Sequence, residues 1–189
     1  MILVVGTTRA ADLASTFLHD ATLSREGNPL VTLLGFGPQE LLIANICATL
    51  LLMGAIMLYW RLPTKRIGPG EVEDIWQYAS FCLYGEVFPK RRFLAAFLLG
   101  RRFPRDRCQY FRYLVFVLSW VVATAALLGA LSWWSGHWDW VRFRRVYFAV
   151  TIHGYPVMLF AVCLAVGVLA SIAFFRIEYA EANQPVHRT

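Results

Sequence analysis

Two uncharged runs limit what this chain can fold into. Leu41 to Trp60 (LLIANICATLLLMGAIMLYW) and Tyr113 to Trp134 (YLVFVLSWVVATAALLGALSWW) contain no Asp, Glu, Lys or Arg. Each matches the roughly 20 apolar residues a helix needs to cross a hydrocarbon core about 30 Å thick. A third window, Val146 to Phe175, is also free of formal charge, interrupted only by His153, Gly154 and Pro156. It is long enough to cross with tilt or a kink, its polar opening lying near the interface or against protein. Composition agrees. Hydrophobic residues make up 58% of the 189 and charged residues 16%, against roughly 25% charged in soluble domains.

A fourth span is expected from about Ile2 to Leu23, and it is the unusual one because it carries Arg9 and Asp12. A charge near a helix centre costs about 2.5–3.5 kcal/mol on insertion scales. A cleaved signal peptide does not suit the segment, since its basic residue follows the apolar opening and an Asp comes three positions later. On a helix, Arg9, Asp12, Thr16 and His19 follow the three-and-four spacing of one face, with Ser15 beside it. That polar stripe is expected to face protein, with Arg9 and Asp12 neutralising one another. It reads either as interhelical glue or as a site for an ion, a proton or a polar ligand.

Orientation follows from the basic residues. The segment from Arg61 to Arg112 holds eleven of the eighteen Lys and Arg residues, so the positive-inside rule makes it cytoplasmic. Four spans then put both termini on the cytoplasmic side of a membrane, expected to be the bacterial inner membrane. The loop 135–145 lies outside and breaches the rule locally with Arg142, Arg144 and Arg145. Around it Trp133, Trp134, Trp138, Trp140, Phe143, Tyr147 and Phe148 read as an interfacial aromatic belt.

The expected fold is therefore all-α: an integral membrane bundle of about four transmembrane helices with an amphipathic, basic cytoplasmic segment. Its divisions are a first hairpin over 1–60, the basic segment over 61–112, a second hairpin over 113–175 and a polar tail over 176–189. Within the basic segment, Val72, Ile75, Trp76, Ala79, Cys82 and Leu83 recur at helical spacing behind the acids Glu71, Glu73 and Asp74. FLAAFLLG then lies between the clusters Lys90, Arg91, Arg92 and Arg101, Arg102, Arg105, Arg107. Two arrangements suit it equally: a helix lying in plane on anionic headgroups, with Trp76, Tyr78, Phe81 and Tyr84 at interfacial depth, or a small domain packed beneath the spans. Nucleic acid is excluded as a partner because no binding motif accompanies the basic residues.

The first segment also carries a resemblance. Asp12 followed by Ser15 and Thr16, with Glu26, Asn28 and Pro29 shortly after, resembles a family of small bacterial membrane proteins of unknown function, the DUF5658-like proteins, over roughly the first 60 residues. The resemblance implies a multi-pass membrane protein and no particular activity. Read from the residues alone, Glu26, Asn28 and Pro29 form a bend at the outer surface, with Pro38 opening the second helix and Glu40 in its first turn.

Chemistry by motif is sparse. Cys47, Cys82, Cys108 and Cys163 form no CxxC and share no oxidising compartment, so free thiols are expected. Palmitoylation of Cys82 or Cys108 is conceivable beside basic, interfacial sequence. No nucleotide loop, HExxH or GxSxG occurs, and no catalytic residue is assigned. Hydroxyl, amide and carboxylate groups at Asp12, Thr16, Glu26 and Asn28 suit a hard cation, although no metal set is complete. His19 and His153, at comparable depth in a four-span arrangement, could ligate one b-type haem between them. The leading functional expectation is an accessory or scaffolding subunit of a larger membrane complex, with other membrane subunits and anionic lipids as partners. Ligand or ion binding or transport by the polar stripe is the alternative, and haem binding the second.

Overall fold

A computed structural model describes residues 1–20, 22, 34–63, 72–99, 102–152 and 155–183. Among these the chain is mostly helical: α1 (Ile2–His19), α2 (Pro38–Arg61), α3 (Ile75–Tyr84), α4 (Lys90–Leu98), α5 (Arg107–His137), α6 (Val141–Tyr147) and α7 (Val157–Ala182). A two-residue antiparallel pair, β1 (Thr151–Ile152) and β2 (Tyr155–Pro156), precedes α7. Among the described residues three helices, α2, α5 and α7, are long and apolar enough to cross a membrane. These are the proportions of a helical membrane protein. The polar residues inside α1 keep it from meeting the same standard of apolarity.

Several boundaries differ from the sequence expectation for physical reasons. α1 stops at His19 rather than near Leu23, because Asp20 turns to an extended φ of −149° while its N–H still reaches Thr16 O at 2.8 Å. α2 starts at Pro38 with Glu40 in its first turn, as expected. The third uncharged window opens with the end of α6 and the β1–β2 pair, and its helix begins only after Pro156. α7 then continues past Phe175 to Ala182, through a stretch that reads as a polar tail, because Glu178 turns inward.

The chain divides into two compact units, residues 1–57 with 118–168 and residues 58–117 with 169–189, and each long helix contributes to both. In the first unit α1 runs antiparallel to α2: the Cβ that Gly6 lacks would lie against Met53 Cε, and Arg9 meets Asn45. α5 supplies a small-residue face of Ser119, Ala123, Ala126 and Ala130, all buried. Small residues let helix backbones approach closely where lipid leaves no hydrophobic drive between helices.

The second unit is built on aromatic side chains. α3 is capped by Asp74, whose Oδ1 accepts from Trp76 N at 2.7 Å and Gln77 N at 2.8 Å, satisfying orphan donors of the first turn. It ends at Gly85, which takes the left-handed φ of +72° favoured there by glycine. Ser80 Oγ accepts from Phe88 N at 2.8 Å and fixes the turn into α4. Phe93 of α4, 2% exposed, packs against Trp76, Tyr84, Phe97 and Phe175. Tyr78 is wholly buried and meets Tyr179 edge-on at 5.5 Å. Of the two arrangements open from sequence, the packed one matches these contacts. The apolar side of α4 and the rings of Tyr78 and Tyr84 face protein.

Candidate functional site

Two polar clusters lie inside helices that are otherwise apolar. The first belongs to α1. Arg9 Nη1 lies 3.4 Å from Asp12 Oδ2, one turn on, while Arg9 Nη2 donates to Asn45 Oδ1 of α2. Asn45 Nδ2 in turn donates to Leu41 O at 2.9 Å. Its amide is thus committed at both ends. On the other side Asp12 approaches α5 so closely that a Cβ at Gly129 would lie 2.5 Å from Asp12 Oδ1. A side chain at position 129 would press on that carboxylate. Ser15, fully buried, donates to Asp12 O at 2.7 Å, and Thr16 is buried beside it.

A groove of about 220 Å3 runs between α1 and α2, lined by Gly6, Arg9, Ala10, Leu13, Asn45, Ile46, Thr49, Leu50 and Met53. Arg9, Asn45 and Thr49 supply its polar edge. It has room for several waters, at about 30 Å3 each, or for a short apolar chain.

His19 is largely exposed. Its Nδ1 lies 2.8 Å from Ser15 O, and its ring stacks on Trp133 with centroids 6.0 Å apart. His153, the other expected haem ligand, lies outside the described residues, as do Glu26, Asn28 and Pro29 of the outer bend and Arg101 of the basic cluster. Among the described residues no three His, Cys, Asp or Glu side chains converge as a metal site. The four cysteines are free thiols. Cys82 is buried on α3, which removes it from reach of acylation, whereas Cys108 is exposed.

The second cluster was not singled out from sequence. Arg112, near the start of α5, and Glu178, near the end of α7, form an ion pair at 2.6 Å with side chains only 6% and 2% exposed. Arg112 Nη1 also donates to Leu62 O at 2.6 Å, and Gln109 Nε2 donates to Pro63 O at 3.1 Å. Both acceptors follow directly on α2, where helix carbonyls run out of intrahelical partners. The guanidinium lies over the Tyr59 ring, 5.0 Å from its centroid. One side chain therefore ties three helices together. Among the described residues Arg112 Nε and Glu178 Oε2 are buried without a hydrogen-bond partner. Nearby, burial pushes the phenols of Tyr78 and Tyr84 well up from their ordinary value, so both stay neutral and act as packing groups.

Around α4 and the start of α5 the described basic side chains, Lys90, Arg91, Arg92, Arg102, Arg105 and Arg107, are exposed. Lys90 sits over the Trp76 ring at 4.8 Å and Arg92 over Phe88 at 4.9 Å. Arg102 and Arg105 both reach Glu86, at 3.0 and 3.3 Å. No family model matches the chain, and it is similar to no curated protein and no solved structure at a meaningful level.

Proposed function

We propose that this chain is an accessory or scaffolding subunit of a larger membrane complex. The observation carrying this reading is the exposure of the α1 ion pair. Arg9 and Asp12 keep 22% and 26% of their side-chain surface open on a helix that touches Asn45, Met53 and Gly129, all within the apolar helices α2 and α5. A bilayer penalises open charge at such a place, and a neighbouring protein helix would cover it. In this reading α1 is the fourth span, the basic segment and both termini face the cytoplasm, and the membrane is a bacterial inner membrane. The likeness of the first 60 residues to DUF5658-like proteins belongs to the same proposal.

The test is a photo-crosslinker on the face of α1 that carries the pair. With p-benzoylphenylalanine in place of Leu13, which lines the groove beside Arg9, irradiation of native membranes is expected to give a discrete protein adduct. Lipid adducts alone would overturn the reading. Topology is checked separately by charged maleimides: Gly136→Cys should label from outside intact cells and Gly68→Cys only after permeabilisation. Outside labelling at position 68 reverses the orientation.

A second reading, binding of a small polar ligand or ion, is favoured by the groove with Arg9, Asn45 and Thr49 on its edge. Native mass spectrometry of gently extracted protein distinguishes it by a bound mass of small-molecule size. Haem b, which needs His19 together with His153, ranks behind both, and an absorption spectrum decides it.

A further inference from the structure

FLAAFLLG is open from sequence to lipid or to protein, and Phe93 and Ala96 are taken up by the protein core. What remains outside lies just beyond α4. Phe103 is 92% exposed and Leu99 62% exposed. An exposed phenyl ring on a flexible tail would mean little. This one is held: Arg102 and Arg105, on either side of it, both bind Glu86. Arg105 N and Asp106 N both donate to Leu83 O, at 2.8 and 3.3 Å. Pro104 stiffens the backbone between those anchors. Beside the anchored stretch is a shallow concavity of about 420 Å3 lined by Gly85, Arg105, Asp106, Arg107 and Cys108. It is open at Gly85, where a Cβ would meet nothing within 4 Å.

We propose that this stretch is a membrane-surface wedge, in which Phe103 and Leu99 enter the headgroup layer of an anionic leaflet while Arg102, Arg105 and Arg107 engage its phosphates. Two observations select a lipid surface as the occupant. α2 ends at Arg61 and α5 begins at Arg107, so the two spans leave and re-enter the apolar layer beside this stretch. The charge around Phe103 is net basic: Arg102, Arg105 and Arg107 stand against Glu86, which answers two of the arginines, and Asp106, whose Oδ1 accepts from Gln109 N, and basic residues flanking an apolar anchor suit anionic headgroups. The concavity gives a phosphate-bearing headgroup a place between Arg105 and Arg107.

The inference rests on α2, α5 and α7 being spans, and the test separates the two claims. Full-length protein is reconstituted in nanodiscs with p-benzoylphenylalanine in place of Phe103, or in place of Leu51 as an intramembrane control. Leu51 is 75% exposed on α2. After irradiation, mass spectrometry reads the lipid adduct. The expected result is an adduct at 103 in phosphatidylglycerol-containing discs that falls severalfold in phosphatidylcholine discs or at high salt, with the Leu51 adduct unchanged throughout. Each basic residue engaged at an anionic surface contributes about fivefold to binding, so Arg107→Gln is expected to lower the adduct at 103 measurably. An adduct at 51 with none at 103 overturns the wedge. Equal adducts at 103 in both lipids overturn the selection of an anionic leaflet and with it the proposal. No adduct at 51 removes the span reading on which it stands.

Discussion

Arg112→Leu is expected to be the most damaging single substitution in this protein. It strands Glu178, 2% exposed in its side chain, as a buried carboxylate with no cation, and it takes the hydrogen bond from Leu62 O. Breaking one side of a buried pair costs roughly 3–5 kcal/mol, whereas replacing both partners with well-packed apolar residues is often neutral. Glu178→Leu should fall in the same range, because Arg112 then keeps only the Leu62 carbonyl and the Tyr59 ring. The double change to Leu should recover about half of the loss and stop short of the parent by the Leu62 contact, about 1.5–3 kcal/mol for a hydrogen bond to a charged group. Arg112→Lys is expected to land between, since an ammonium keeps the charge but cannot hold two acceptors in the guanidinium fork. Thermal unfolding of detergent-solubilised protein, followed by size-exclusion fluorescence, measures all four. Parent-like stability for Arg112→Leu would mean that the three helices are tied by their aromatic contacts alone.

That clamp shows where sequence reading stops. The apolar helices were legible because an uncharged run of span length has few other uses, and α2 was legible to its first residue because Pro38 and Glu40 are both start signals. Arg112 and Glu178 were not legible, since they lie 66 residues apart and each flanks an uncharged run. A charge at such an edge reads as a residue in the headgroup layer. The available signal was an acid, Glu178, recurring within a helical continuation of the third run where a tail was expected. Asn45 was a clearer missed signal: a lone amide within Leu41–Trp60 asks for a polar partner, and the sequence already offered Arg9. The apolar periodicity of 72–83 identified α3, but periodicity cannot say whether a buried stripe meets lipid or protein. Only the contacts of Phe93, Tyr78 and Tyr84 resolve that.

The α1 cluster is expected to respond to substitution in a pattern that separates structure from function. Arg9→Ala takes the guanidinium from Asp12, and Asp12→Ala takes the carboxylate from Arg9, which keeps Asn45. Because both side chains are about one quarter exposed, the loss should lie below the roughly 3–5 kcal/mol of a fully buried pair. Arg9→Leu with Asp12→Leu together should restore accumulation of folded protein. Gly129→Ala provides an independent handle. Its Cβ would lie 2.5 Å from Asp12 Oδ1, so it should destabilise by about 1–3 kcal/mol, the usual cost of overpacking. Asp12→Ala in the Gly129→Ala background should then cost less than it does alone, because the clash leaves with the carboxylate. A double-mutant cycle on unfolding temperature measures this coupling. Additive effects would place Asp12 away from α5. If the Leu double variant accumulates normally but loses the protein adduct expected at Leu13, the charge pair itself recognises the neighbouring subunit. If the adduct persists, the pair only lets α1 stay among apolar helices, and the recognition surface is the rest of the face carrying Leu13.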